Sequence, residues 1–508
     1  MRKFVSLFLA LILALGLVPA AVAEPVTLDI YWVGNTDVPE IREEVEAAIN
    51  EYIEPKIGAN VVFHIINWDD WKTQVVDVLT DKSTRMYAKM DLVFTADWEY
   101  YGDLVEAKAL LDLEEQLETN GKDILASLPD GFINGVKVNG RIYAVPTKKE
   151  LSVPQGFIVN KTAADAIGWD FTNGEIKTTA DLEPWLEKYK QMFPDGYPYL
   201  MDMNPAGRWV DEPWINDWSG LTQNAITVKM AVQENGEFDE TVYNIFDTEE
   251  QEAHIRLMYD FAQKGYIKED NAKMTKADGE AVFGSGNFLV FTQPLKGNNT
   301  KGIEMYTSLH KEGTEPFEVG EIIMQPKYIV TAHTAGSMFG IPVTAQWNPD
   351  KSMQFLNLMH SDATLVNLML FGVEGENYTR IDDKKVTLTD KAWYTVHGGA
   401  WTVGDVTLQY VLENEDPEKN DKLIEFAKDA TETCCLGFRL NTKKLKETVE
   451  AVNEVLGKYA NALMCGAVDP DDPEKGIEAL RKALKDAGMD ELREAAQTQY
   501  EQWKNAQY

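Results

Sequence analysis

Three tryptophans stand at the ends of three apolar runs. Trp32 closes the run from Val26 to Val33, just ahead of Gly34-Asn35. Trp68 follows Val61 to Ile66, within Asn67-Trp68-Asp69-Asp70. Trp98 follows Asp91 to Thr95, with Asp97 before it and Tyr100 and Tyr101 after it. A flat indole packs on apolar C–H patches, while an adjacent amide or carboxylate takes hydroxyl groups. That combination suits a sugar. For any single one of these tryptophans, core packing explains the residue as well. The three together favour a shared rim, because core residues belong inside strands rather than at their ends. Asn35 and Asp97 are the polar groups expected beside the indoles.

Further candidates lie later in the chain. Trp209 to Trp218 holds three tryptophans in ten residues, of which Trp209 and Trp214 are weaker candidates for a facing surface. They serve equally to pin a long loop. Trp401 sits on a glycine-bearing turn with Gly404-Asp405. Catalytic patterns are missing: no HExxH, no GxSxG and no phosphate loop. With 83 acidic residues, two carboxylates near an aromatic carry no weight, so a secreted glycoside hydrolase with a carboxylate pair stays as the alternative. No metal is expected, since Asp170 to Glu175 lacks the alternating carboxylates of a calcium loop. No cofactor is expected either.

The elements that must position these groups alternate. Strands are predicted at Val26–Val33, Val61–Ile66 and 91–95, with helices at 39–52, 71–79 and 104–117 between and after them. This βα order argues for parallel sheets covered by helices, with ligand outside the strands' carboxyl ends. Strands at 141–146, 155–160, 288–291 and 338–343 follow, with helices at 180–191, 249–264 and one long helix at 351–371. Asn348 and Pro349 suit the N-cap and first position of that helix. From Lys419 to Gln502 the chain reads as helical, with breaks at Gly437, Gly457 and 469–473. No repeat or linker divides it, which argues for lobes built by a chain that crosses back and forth.

Composition bounds the setting. The 508 residues carry a formal net charge of −35, which disfavours nucleic acid and anionic membranes as partners. Met1-Arg2-Lys3, the apolar run Phe4 to Val18, Pro19 and Ala21-Val22-Ala23 read as a signal peptide cleaved near Ala23. The run is too short to span a bilayer. No cysteine adjoins the cleavage site, so no lipid tether is expected and the product is exported, periplasmic or extracellular. Three cysteines, Cys434, Cys435 and Cys465, make no disulfide framework. Buried thiols on helices are expected, with one bond from Cys465 to either of the pair as the alternative.

These features resemble extracellular solute-binding proteins of family 1, the carbohydrate-binding partners of ABC importers. Arg141-Ile-Tyr-Ala-Val-Pro146, Asn348 to Leu358, and Leu370-Phe-Gly-Val-Glu-Gly375 through Tyr378 carry the likeness. The stretch from Trp401 through Cys435-Leu-Gly-Phe438 and Ala467-Val-Asp-Pro470 to Trp503 is similar to a C-terminal domain of unknown function found in a subset of that family. The resemblance implies a two-lobed α/β periplasmic-binding-protein-like fold, each lobe a mainly parallel sheet flanked by helices. It implies a first lobe of 24–145 plus 327–373 and a second of 146–326 plus 374–508, the latter with a helical C-terminal region. Sugar would be held between the lobes and passed to permease subunits by a monomer that makes and breaks no bond. Trp401 and Asp405 would face the first three tryptophans from the second lobe, and Gln293 stands where relatives carry a stacking tryptophan.

Overall fold

The structure, a computed structural model, describes residues 24–201, 211, 214–215, 225–229, 238–310, 313–345 and 348–506. The signal-peptide expectation therefore lies outside the described residues. The chain opens with β1 (Val26–Gly34), α1 (Pro39–Ile57) and β2 (Ala59–Asn67). Proline at the first turn of α1 and Gly58 in the left-handed conformation just past its end set those limits. β1 and β2 pair in parallel along their full nine residues. In β2 the alternation is visible in burial: Val61, Phe63 and Ile65 face in. β3 (Leu92–Thr95) is buried throughout and pairs in parallel with β1. The helix expected at 104–117 is instead two pieces, Tyr101–Glu106 and Glu114–Asn120. α2 (Asp130–Val136) and β4 (Ala144–Pro146) complete the outward run.

The second sheet contains β5 (Gln155–Asn160), β6 (Tyr197–Leu200), β7 (Phe288–Pro294) and β8 (Val319–Ile323) in the order β8-β5-β7-β6. α3 (Glu249–Gln263) and α4 (Thr300–Leu309) pack around it. The chain then returns to the first sheet as β9 (Met338–Gly340), giving the order β2-β1-β3-β9-β4. Because β9 arrives from the other lobe, it runs antiparallel to both β3 and β4. β5 likewise runs antiparallel to β7 and β8. The two-lobed α/β architecture is as expected, with sheets more mixed in direction than the βα alternation alone predicts.

The long helix expected at 351–371 is two helices, α5 (Pro349–Met359) and α6 (Ala363–Phe371). Asp362 divides them: its carboxylate accepts from the N–H groups of Thr364 and Leu365 and from Tyr52 and Lys56 of α1. Asn348 precedes α5 without a side-chain cap. At the end of the chain come α7 (Lys419–Phe426), α8 (Lys446–Met464), α9 (Ile477–Asp486) and α10 (Met489–Ala506). Gly457 lies inside α8 and does not break it. The last three helices share a core with Ile226, Val242, Phe246 and Ile255.

One expected boundary is corrected. The resemblance implies a second lobe that holds everything after residue 373. Tyr378, Val386, Trp393, Val396 and Val403 instead pack in the first core, with Trp32 and Phe63. The cysteines form no disulfide: Cys435 and Cys465 are buried thiols, but Cys434 and Cys435 lie in a turn rather than a helix.

Candidate functional site

Phe94, fully buried in β3, is the floor of an aromatic cluster. Trp68, Trp98 and Trp401 each meet it, with ring centroids 6.2, 6.5 and 5.8 Å away. The three indoles also meet one another. Trp68 and Trp98 are 5.7 Å apart, Trp98 and Trp401 6.1 Å, and Trp68 and Trp401 6.3 Å with planes only 12° apart. Trp98 is 45% exposed, and Trp68 and Trp401 are half-buried. These are the carboxyl ends of β2 and β3 joined by a loop from much later in the chain.

Each indole is aimed by local bonds. Trp68 opens a helical turn, Trp68–Trp71, capped by Asn67, whose side chain accepts from the N–H of Asp69. The Trp98 indole donates to the carbonyl of Gly336 at 3.0 Å. Trp401 rides on the turn Ala400–Thr402. His397 fixes that turn: its Nδ1 accepts from the N–H of Gly399 at 3.0 Å, and its Nε2 lies 2.9 Å from the carbonyl of Leu370. Those partners specify the tautomer with the proton on Nε2. Burial lowers the His397 pKa to about 4, so the ring stays neutral.

Trp32 is the first correction. It is 0% exposed and belongs to the core rather than the rim. It stacks on His397 at 4.4 Å and donates from Nε1 to the hydroxyl of Thr402 at 3.1 Å. Its role is to support the loop that carries Trp401. Gly34 follows because a Cβ there would sit 2.6 Å from the carbonyl of Val396.

Asp97 and Asp405 are also corrected. Both carboxylates are taken by cations and face inward. Asp97 accepts from Arg439 Nε at 2.6 Å, with its side chain 3% exposed. Asp405 accepts from Lys148 at 2.8 Å and from the N–H and hydroxyl of Thr407. It ties the crossing segment 147–154 to the loop after Trp401. A Cβ on its neighbour Gly404 would fall 1.9 Å from the Met359 carbonyl, so only glycine fits. Asn35 is exposed at the rim, but its side-chain N–H donates to the carbonyl of Thr395 and its own carbonyl accepts from Asn67.

The resemblance implies the second lobe for Trp401. The residue packs instead with the first core. Gln293 is half-buried near the end of β7, in register with Gly156. Trp209 lies outside the described residues. For Trp214 only its strand pairing with Lys229 is described. Sequence reasoning missed Phe94, His397, Thr402 and Arg439. Only Arg439 had a legible cue, as a lone cation beside the Cys435-Leu-Gly-Phe438 motif.

Charged groups also link the crossing segment to the chain on either side of it. Lys149, Glu150, Lys296, Glu304, Lys419 and Glu415 form a continuous chain of ion pairs between 2.6 and 3.9 Å. Burial alone would raise the Glu150 carboxyl, but the Lys149 and Lys296 ammonium groups hold it well below the carboxylate range. Among the described residues, no group of three or more His, Cys, Asp or Glu side chains is arranged to hold a metal. No helix there is long and apolar enough to cross a membrane.

Comparison with known proteins places these features in context. Residues 47–372 match the family described as bacterial extracellular solute-binding protein, and residues 434–505 match a domain of unknown function, DUF3502. The chain is 26% identical over 485 residues to a carbohydrate ABC transporter substrate-binding protein of Streptococcus pneumoniae serotype 4, covering 94% of this chain and 90% of that one. Its fold is similar to the crystal structure of an N-glycan transport solute binding protein from Streptococcus pneumoniae. There the TM-score is 0.77 at 23% identity, over 95% of this chain and 100% of that one. The same protein in complex with Man5GlcNAc gives a TM-score of 0.64 at 24% identity, over 94% and 99% of the chains. An extracellular solute-binding protein from Bifidobacterium longum subsp. infantis gives 0.63 at 14% identity, over 94% and 99%.

Proposed function

The chain belongs to the bacterial extracellular solute-binding proteins, and from that premise we propose that it captures a saccharide on the Trp68–Trp98–Trp401 cluster and delivers it to an ABC importer. The observation that carries this reading is the convergence of three indoles over Phe94 with Trp98 left 45% exposed. An exposed tryptophan held rigidly by its own N–H bond is a preorganised stacking face, which lowers the ordering cost of binding. The 26%-identical carbohydrate substrate-binding protein and the N-glycan transport relative support an oligosaccharide, with mannose-containing glycans the first to try.

Proteins of this family are carriers, so binding energy goes into closing the lobes over the ligand rather than into a reaction. We take the mature chain to begin near Glu24, to be exported and to act as a monomer with permease subunits as its partners. The first lobe extends beyond the expected residue 373 to include the 378–403 segment that packs with it. The test is a thermal-shift screen against mannobiose, branched mannopentaose and a panel of other neutral and acidic oligosaccharides. A ligand at 100 times its Kd adds about 2.7 kcal/mol of stability. No shift with any member of the panel would sink the saccharide reading. Catalytic turnover of the best-stabilising sugar would replace the carrier with the glycosidase.

A further inference from the structure

We propose that the C-terminal module, residues 434–505, contributes a second saccharide-binding subsite, which takes the distal arm of a neutral branched oligosaccharide. The inference rests on the saccharide reading above and extends it to a surface that no comparison assigns. A groove of about 890 Å³ runs between α2, the hairpin after it, and α10. That volume falls within the roughly 300–1,000 Å³ of small-molecule sites.

The lining has the chemistry of a sugar site. Trp503 forms one wall, its ring held by Phe438 at 5.6 Å and Tyr500 at 5.9 Å. Amides dominate the polar lining: Asn134, Asn139, Asn441, Gln499 and Gln502. An amide presents both donor and acceptor, which matches a hydroxyl group able to act as either. Part of this set is rigid, because Gln499 accepts from the N–H of Asn441 and donates to its carbonyl. Part is uncommitted: among the described residues, the side chains of Asn139, Gln502 and Trp503 make no hydrogen bond.

Charge in the groove is already balanced. Arg439 is spent on Asp97 and on the carbonyls of Lys137 and Gly135. The Lys137 ammonium donates to the Asn134 amide oxygen at 3.3 Å, and the lining also holds the opposite charge of Glu432. A neutral ligand is therefore favoured over a phosphate or a uronic acid. Arg439 also joins the two sites. It lines the groove while holding Asp97, whose chain neighbour is the exposed Trp98. Asp97 and Arg439 thus tie the chain segment that carries Trp98 to one wall of the groove.

The experiment compares the full-length wild type with Gln502→Arg and Trp503→Phe. Gln502 is exposed, so the arginine fills the groove without touching the core. The phenylalanine keeps the packing on Phe438 and Tyr500 while shrinking the stacking face. Calorimetric titration with mannobiose and with branched mannopentaose reads the result. The wild type should bind the pentaose at least ten times more tightly than the disaccharide. Both variants should lose about tenfold in pentaose affinity and leave mannobiose binding unchanged. Equal affinities for both sugars in the wild type and both variants would overturn the subsite while leaving the indole site intact. If no saccharide of the screening panel binds the wild type, the saccharide reading falls and the subsite with it.

Discussion

The indole N–H of Trp32 donates to the hydroxyl of Thr402 at 3.1 Å across 370 residues of sequence. The same hydroxyl donates onward to the carbonyl of Gly399 at 2.7 Å. This two-bond relay is what presents Trp401 to Trp68 and Trp98. Replacing the hydroxyl by a methyl, Thr402→Val, leaves a buried indole N–H unsatisfied at a cost of about 1–3 kcal/mol. The turn carrying Trp401 should loosen as a result. The expected outcome is a lower melting temperature together with weaker saccharide binding. A normal affinity in a destabilised protein would show that the Trp401 turn is held by His397 alone.

Trp98 and Trp32 make a matched pair of substitutions. Trp98 is 45% exposed and Trp32 fully buried, although Trp98 follows β3 and Trp32 lies near the end of β1 in the same sheet. Trp98→Ala should reduce saccharide affinity by tenfold or more while shifting the melting temperature little. Trp32→Ala should cost about 3–5 kcal/mol of stability. Parallel denaturation and titration of the two variants decide it, and a large stability loss in Trp98→Ala without an affinity loss would remove Trp98 from the site.

How much of this was legible can be judged from those two residues. The strand-end rule puts Trp68 and Trp98 just past β2 and β3, where the structure also has them, because a parallel strand's exit is encoded locally by its apolar run and the residues after it. The rule failed at Trp32, which is the seventh residue of a nine-residue strand and is capped by a loop from 370 positions later. No local pattern records that covering. Asp97 and Asp405 failed for a related reason: a carboxylate beside a tryptophan looks the same whether it faces solvent or an arginine 342 residues away. The helix division at Asp362 was also hidden, since that carboxylate is held by Tyr52 and Lys56 of α1 as well as by its own helix. The alternation of elements, by contrast, is a short-range property, and it foretold the sheets but not the antiparallel direction of the returning β9.

Acid should destabilise the fold through its buried imidazoles. His254, His333, His360 and His397 all have pKa values pushed down from 6.5 to about 4, in each case chiefly by burial. The unfolded chain therefore binds more protons than the folded one between pH 6.5 and 4. The stabilisation is complete above pH 6.5 and is lost as the pH falls through that window. Going from pH 7 to 5 removes up to about 2 kcal/mol per histidine. Urea denaturation at the two pH values measures it, and the drop should be smaller in His360→Gln than in the wild type. An equal or larger drop in that variant would show that His360 is not among the groups responsible.

The Arg439–Asp97 pair offers the sharpest test of how the C-terminal module serves the site. Its side chains are 15% and 3% exposed, so the pair is largely shielded from solvent. Arg439 also donates to the carbonyls of Gly135 and Lys137 and lies over the ring of Tyr101, at 5.1 Å. Removing the cation alone, as in Arg439→Met, strands a buried carboxylate next to Trp98. Breaking such a pair from one side costs about 3–5 kcal/mol, whereas removing both charges together is far milder. The double variant Asp97→Asn with Arg439→Met should therefore be more stable than Arg439→Met alone. It should also regain part of the saccharide affinity that the single change loses, because relief of the stranded charge lets the Asp97–Trp98 turn settle back against Gly336. A double-mutant cycle read by denaturant midpoint and by titration measures both quantities. Additive losses in the cycle would mean that Arg439 and Asp97 act independently, and that the module supports the indoles through apolar packing alone.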